Sequence, residues 1–259
     1  MSKEKFSHVY TYAGLCDIGS LRQTNQDRII LHPEQDFFAV SDGMGGLLYG
    51  EDSAIYVSET MPKLVDISAR NCSKNTSAED AAEMLASSAR MLSDALYQKG
   101  NSPKRFDYGA TLAGVWLFAD EAIYIGLGDS RGYLLRDGEL KQVSEDMNIA
   151  GLMVRSGLMT REEAAESPAS SRLTAFVGME APAEPITWRV RVQPGDVILL
   201  CSDGLYGMVP EPEITEVLKS DGSLDGICQK LIGSANAHGG RDNISAVVIR
   251  ISDSFLVAG

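Results

Sequence analysis

Apolar residues recur along this chain with two different periods. Over 51–67 they fall at Ile55, Val57, Met61, Leu64 and Val65, the spacing of one face of an α-helix. Over 77–99 a second stripe, with Met84, Leu85, Met91, Leu92 and Leu96, predicts the clearest helix. Ser77 and Asp80 open it in the manner of a capping box, and Gly100 is placed to close it. Residues 147–165 also read as helix, broken at Gly157, and 213–219 and Leu224–Ala237 as two more. Elsewhere the apolar stretches are short and bounded by turn signals. Residues 9–15, 36–41, 186–192, 196–201 and 244–251 predict strands. Residues 110–118, 122–127, 132–136 and 140–143 predict four more, arranged as an antiparallel meander. Many strands with few regular βαβ units indicate an α+β fold. No repeat, long linker or low-complexity tract interrupts the 259 residues, so a single domain spanning 1–259 is the expectation.

Charge narrows the function classes. The formal net charge is −13, the wrong sign for neutralising nucleic-acid phosphates or docking on an anionic membrane. Cys16, Cys72, Cys201 and Cys228 include no C-x-x-C pair, which argues against zinc and a disulfide framework. The first residues, Met-Ser-Lys-Glu-Lys, lead into no apolar segment, and no run is long enough to span a bilayer. The expectation is a cytoplasmic protein.

The candidate chemistry lies at strand ends. Residues 37–41 run into Asp42-Gly43, 123–128 into Asp129-Ser130, and 197–202 into Asp203-Gly204, while Asp242-Asn243 immediately precedes the strand at 244. Carboxylates converging there repel one another unless cations hold them, and hard divalent ions prefer such oxygen donors. A lone Asp-Gly is most often a turn. Asp137-Gly138 and Asp221-Gly222 read as nothing more. The run Asp42-Gly-Met-Gly-Gly46 is longer than a hairpin needs, and Gly43 can offer its carbonyl to a cation. No Walker-type Lys-Ser/Thr follows, so a phosphate cradle is disfavoured. Upstream, Arg22 is a planar clamp suited to phosphate.

Six segments in this order resemble the metal-dependent serine/threonine protein phosphatase (PPM) family, especially its bacterial branch. They are Gly19-x-x-Arg22-x-x-Asn25-Gln26-Asp27, Ser41-Asp42-Gly-Met-Gly-Gly46, Gly109-Ala-Thr111, Gly128-Asp129-Ser-Arg131, Ser202-Asp203-Gly204 and Gly240-Arg-Asp242-Asn243. The resemblance covers roughly residues 12–251. It implies a four-layer α-β-β-α sandwich whose two central antiparallel sheets are flanked by helices. It also implies two Mn²⁺ or Mg²⁺ ions at one edge, with a third, looser ion in bacterial members. By that resemblance Asp42 bridges both core ions and the Gly43 carbonyl binds the first. Asp203 and Asp242 bind the second ion, and Asp129 and Asp203 the third. Arg22, Asp42 and Asp203 become the catalytic set. Arg22 holds the substrate phosphate, and Asp27 and Asn243 orient the ligands. The implied reaction is hydrolysis of phosphoserine and phosphothreonine by a metal-activated water. The implied partners are phosphorylated proteins, a serine/threonine kinase and its substrates, met by a monomer.

The sequence departs from the family pattern in places. Gln26 stands where many members carry a metal-binding glutamate. Met44 replaces a histidine proposed as general acid, and a thioether cannot donate a proton, so water must protonate the leaving oxygen. Asp146-Met147-Asn148 replaces Asp-His-Ser, and Glu166-Ser-Pro168 lacks a His before Pro, both in or near a flap at about 147–178. His8, His32 and His238 match no catalytic position. Two rival readings are a phosphoprotein-binding pseudophosphatase and a phosphatase of small metabolites. Retention of Asp42, Asp129, Asp203 and Asp242 favours the enzyme over the first, and the second requires a closed pocket.

Overall fold

In the computed structural model, which describes residues 8–44, 46–102, 105, 107–180 and 182–255, ten strands form two five-stranded antiparallel sheets. Gly45 of the glycine run and the side chains of His8 and Glu166 lie outside the described residues. One sheet runs β1 (His8–Asp17), β10 (Ile244–Phe255), β9 (Val197–Cys201), β6 (Arg131–Arg136), β7 (Glu139–Gln142). The other runs β2 (Asp27–His32), β3 (Phe37–Asp42), β4 (Leu112–Phe118), β5 (Glu121–Leu127), β8 (Ile186–Arg191).

Successive side chains of a strand point to opposite faces, and here both faces are apolar. Phe38, Val40, Val115, Leu117 and Tyr124 meet Ile198, Leu200, Val247 and Ile249 between the sheets. Their neighbours Phe37, Ala39, Leu112, Trp116, Ile123 and Ile125 face outward under α1 (Gly50–Asn71) and α2 (Ala78–Gln98). On the other side Tyr133, Leu135, Leu199, Cys201, Ala246 and Val248 pack under α6 (Glu211–Lys219) and α7 (Leu224–Ala237). The four-layer α-β-β-α order follows directly from this alternation. A short helix α5 (Asp203–Tyr206) starts at the tip of β9. The flap carries α3 (Ile149–Arg155) and α4 (Arg161–Glu166), separated at Gly157 with φ +69°.

The capping box forms as expected: Ser77 Oγ accepts from the Asp80 N–H at 3.1 Å and the Asp80 carboxylate accepts from the Ser77 N–H at 3.1 Å. Asp137 and Gly138, at φ 51° and 83°, make the tight hairpin between β6 and β7. Three sequence expectations need correction. The meander is two hairpins in different sheets, β4–β5 and β6–β7. The chain changes sheet at Gly128, φ +107°, and strand periodicity does not encode which sheet a strand joins. Strand β2 was not among the predicted strands, although Ile29, Ile30 and Leu31 supply its apolar run. Gly100 is not a left-handed cap. α2 ends on Lys99 in helical conformation, and a Cβ on Gly100 would press within 2.8 Å of the Tyr108 ring.

Phe38→Ala removes a fully buried ring from between the sheets and is expected to lower unfolding free energy by about 3–5 kcal/mol. Ser77→Ala removes one cap and should lower it by about 1 kcal/mol. Urea titrations of the two variants measure both, and a Phe38 effect no larger than the Ser77 effect would contradict this packing.

Candidate metal centre

Strand ends from both sheets meet at one edge of the sandwich, because each antiparallel pairing sets the end of one strand beside the start of its neighbour. Asp27 at the start of β2 pairs with Asp42 at the end of β3. The start of β4 faces the end of β5, and the start of β10 faces the end of β9. Asp42, Asp129, Asp203 and Asp242 are therefore brought to a common edge, each half-buried and open to solvent.

Backbone contacts fix them there. Thr111 brackets Asp42: its N–H donates to the Asp42 carbonyl at 2.7 Å and its hydroxyl accepts from the Asp42 N–H at 2.9 Å. A side chain on Gly43 would collide with the Gly50 carbonyl, and one on Gly204 with the Asn243 carbonyl. Only glycine permits these close approaches. Asn243 ties the loop of Arg22 to β10. Its side-chain oxygen accepts from the Gln26 N–H at 2.8 Å, and its amide donates to the carbonyls of Ile18 at 2.8 Å and Thr24 at 3.0 Å.

Asp27 is the only fully buried carboxylate of the group, 1% exposed. Its Oδ2 accepts the hydroxyls of Ser202 at 2.6 Å and Ser245 at 2.8 Å, both from the opposite sheet. Its Oδ1 has no hydrogen-bond partner, nor has Asp203 Oδ1. Burial, followed by the charges of Asp203 and Asp242, pushes the Asp27 carboxyl up to about 6 despite the two hydroxyls that favour its anion. Burial and then Asp203 push Asp129 up to about 7. Asp42 is raised well above the ordinary carboxylate range by burial and by the charges of Asp27, Asp203, Asp129 and Asp242. Asp203 is raised by burial and Asp242, while contact with Asp42 and the charge of Arg22 pull the other way. Four groups that mutually disfavour ionisation form a site whose anionic form needs added positive charge.

Arg22 lies at this edge, but its Nη2 donates to Asp242 Oδ2 at 2.6 Å. The sequence-derived clamp thus sits on one of the sequence-derived ligands. Among the described residues no three acidic, histidine or cysteine side chains already form a closed ligand cage. The donors are nonetheless all oxygens, with two buried oxygens lacking partners, and this set suits hard divalent ions. His32 pairs with Glu34 and Asp66, and His238 with Glu213.

Comparison with known proteins identifies the family. The protein phosphatase 2C family profile matches residues 21–244. The chain belongs to the protein phosphatase 2C family. A serine/threonine phosphatase Stp of Listeria welshimeri is 31% identical over 237 residues, covering 90% of this chain and 92% of that protein. The solved serine/threonine phosphatase of S. agalactiae is 28% identical with TM-score 0.81, covering 94% of this chain and 100% of that one. The solved catalytic domain of the phosphatase PstP, described as a complex with two manganese ions, is 27% identical with TM-score 0.76, covering 94% and 99%.

Sequence reasoning missed several parts of this phosphatase site. Ser202 and Thr111 stand inside the family motifs but were given no role, and Ser245 lies outside them; Ser202 and Ser245 hold Asp27, and Thr111 holds Asp42. Asn148 caps α3 through Gly151 N–H at 2.7 Å and donates to Asp129 Oδ2 at 3.3 Å. Tyr206 donates its hydroxyl to the Asp129 carbonyl at 2.9 Å, and the Arg131 guanidinium stacks on its ring at 3.6 Å. Arg131 also forms a two-point bond to Asp146 at 2.9 and 2.7 Å. These groups floor a cavity of about 700 Å³ between the strand tips and the flap, reached by Asp129, Asp203, Asp242 and Asn148.

Raised carboxyls have a consequence for stability. The folded chain binds more protons than the unfolded chain from the ordinary carboxylate value up to about 7, so stability falls as pH rises through that window. Thermal melting in chelator should therefore drop between pH 5 and pH 7.5, and Mn²⁺ at pH 7.5 should reverse the drop. A melting temperature indifferent to both pH and Mn²⁺ would contradict the clustering.

Proposed function

We propose that this phosphatase hydrolyses phosphoserine and phosphothreonine in proteins, using two Mn²⁺ or Mg²⁺ ions held by Asp42, the Gly43 carbonyl, Asp203 and Asp242. A third ion falls to Asp129 and Asp203. The observation that carries this reading is the convergence of Asp42, Asp129, Asp203 and Asp242 on one edge, where the charges of the other three all disfavour ionisation of Asp42. The PstP relative solved with two manganese ions supports the choice of metal. When bound, such ions lower the pKa of water and neutralise phosphoryl charge.

The chain's own residues do the rest. Asp27, locked by two hydroxyls, holds the tips of both sheets in register. Asn243 sets the Arg22 loop. The Arg22 guanidinium, exposed on one side and paired with Asp242 on the other, donates to the phosphoryl oxygens and keeps the ester oriented. Met44 packs its sulfur beside Gly109 and has no proton to give, so the leaving serine or threonine oxygen takes its proton from solvent. The flap cavity, about 700 Å³, adjoins Asp129, Asp203 and Asp242. The partners proposed are a serine/threonine kinase and its substrates, met by a monomeric enzyme in the cytoplasm. The names of the curated relatives support the substrate half of that reading, and no helix among the described residues is long and apolar enough to cross a membrane.

Hydrolysis of a phosphothreonine peptide is expected to stop in EDTA and return with Mn²⁺. Asp203→Asn should fall to background while keeping the native circular dichroism spectrum; near-normal turnover would remove Asp203 from the metal site. Arg22→Ala should raise KM by about tenfold, the loss of one charge-assisted bond, with a smaller change in kcat. An unchanged KM would show that Arg22 serves Asp242 alone.

A further inference from the structure

Arg241 separates Gly240 from the tip carboxylate Asp242, and neither the fold nor the metal site accounts for it. Its backbone is clamped against the Arg22 loop. The Gly240 carbonyl accepts the N–H groups of Ser20 at 2.8 Å and Leu21 at 3.2 Å, and the Arg241 carbonyl accepts from Arg22 Nε at 3.4 Å. Its side chain runs beside Gly239, where a Cβ would stand 3.9 Å from Arg241 Cγ and Nε. It is exposed and lines the cavity under the flap.

Arg131 and Arg155 share that cavity, and each has a carboxylate partner, Asp146 and Glu145. Among the described residues the Arg241 guanidinium has none. What sets it apart from Arg131 and Arg155 is that an unpaired guanidinium stands in the cavity that the tip carboxylates Asp129, Asp203 and Asp242 also line. Glu162 and Glu211 line the same cavity without pairing to it. Arg161, from the flap, also reaches the cavity, and its side chain donates to the neutral Gln142 oxygen at 3.3 Å. An unsatisfied planar fork of donors matches a carboxylate or phosphate in two-point geometry.

We propose that Arg241 is a specificity-determining residue that binds a second anionic group of the substrate, beside the phosphate being removed. The substrate class is then a phosphopeptide with an acidic or second phosphorylated side chain next to the target residue, and Arg161 adds to the same field. This rests on the phosphatase reading above and narrows it. Arg22 and Arg241 occupy one clamped loop pair, joined by the bond from Arg22 Nε to the Arg241 carbonyl, so both belong to the same edge. Metal charge cancels the tip carboxylates, which leaves these guanidiniums to select the flanking sequence.

The test uses phosphothreonine peptides identical except for the following residue: alanine, glutamate, lysine, or a non-hydrolysable phosphonate analogue of phosphoserine. With Mn²⁺, the wild-type enzyme should favour the glutamate and phosphonate peptides over alanine in kcat/KM by about tenfold, one charge-assisted bond. A preference confined to the phosphonate would assign the subsite to a second phosphate, and one shared by glutamate to any anion. Arg241→Gln should bring the ratio close to one, and Arg241→Glu should turn it toward the lysine peptide. An unchanged ratio in Arg241→Gln, or an equal fall on every peptide, overturns the proposal. Peptide binding by fluorescence anisotropy is followed in parallel. If no peptide is hydrolysed, the phosphatase reading fails. A binding preference for the anionic peptides that Arg241→Gln removes would still uphold the subsite, and equal binding of all peptides would end it.

Discussion

A carboxylate buried between two sheets needs donors, and Asp27 takes both of its donors from the sheet opposite its own. The hydroxyls of Ser202 and Ser245 reach it from beyond the end of β9 and from the start of β10, while its backbone pairs with Asp42 across β2 and β3. Hydrogen bonds to a charged acceptor contribute about 1.5–3 kcal/mol each, enough to fix the relative position of strand tips that apolar packing alone would leave free to slide. Asp203 follows Ser202 directly and Asp242 lies three residues before Ser245. Holding those two serines to Asp27 therefore brings Asp203 and Asp242 up to Asp42. The site is a consequence of how the two sheets are joined at this edge.

That joint also explains the charge balance. An enzyme with a net charge of −13 is poorly suited to attract a phosphorylated substrate, and the tip carboxylates make the local field worse. Divalent ions reverse that field where they bind. The arginines then divide into two kinds. Arg131 is committed to Asp146 and the Tyr206 ring, which buttress Asp129. Arg22 and Arg241 remain on the solvent side of the same edge, where an anion can reach them.

Much of this was legible in the chain because the relevant physics is local. Two-faced apolar runs such as Phe37–Asp42 and Val197–Cys201 mark strands buried on both sides, and it was the recurrence of an aspartate at the end of such runs, not any single one, that pointed to a shared site. Asp137-Gly138 read as a turn in sequence and joins two adjacent strands as one; what the sequence leaves open is each strand's neighbour in space. Sheet membership was not legible for the same reason. The β4–β5 and β6–β7 hairpins are alike in pattern and lie in different sheets. Ser202, Ser245, Thr111 and Asn148 act through contacts to residues far away in sequence, and hydroxyls and amides of that kind show no periodicity. The pairing of Arg22 with Asp242 was equally hidden, since both residues were assigned to other partners.

The central claim is that carboxylates from two sheets meet at one edge to hold divalent ions. A crystal structure with Mn²⁺, read by its anomalous difference map, tests this most directly. Two strong peaks between Asp42, Asp203 and Asp242, one of them touching the Gly43 carbonyl, are the predicted result. Well-ordered crystals with no peak at that edge, or with peaks only at carboxylates elsewhere, would contradict it.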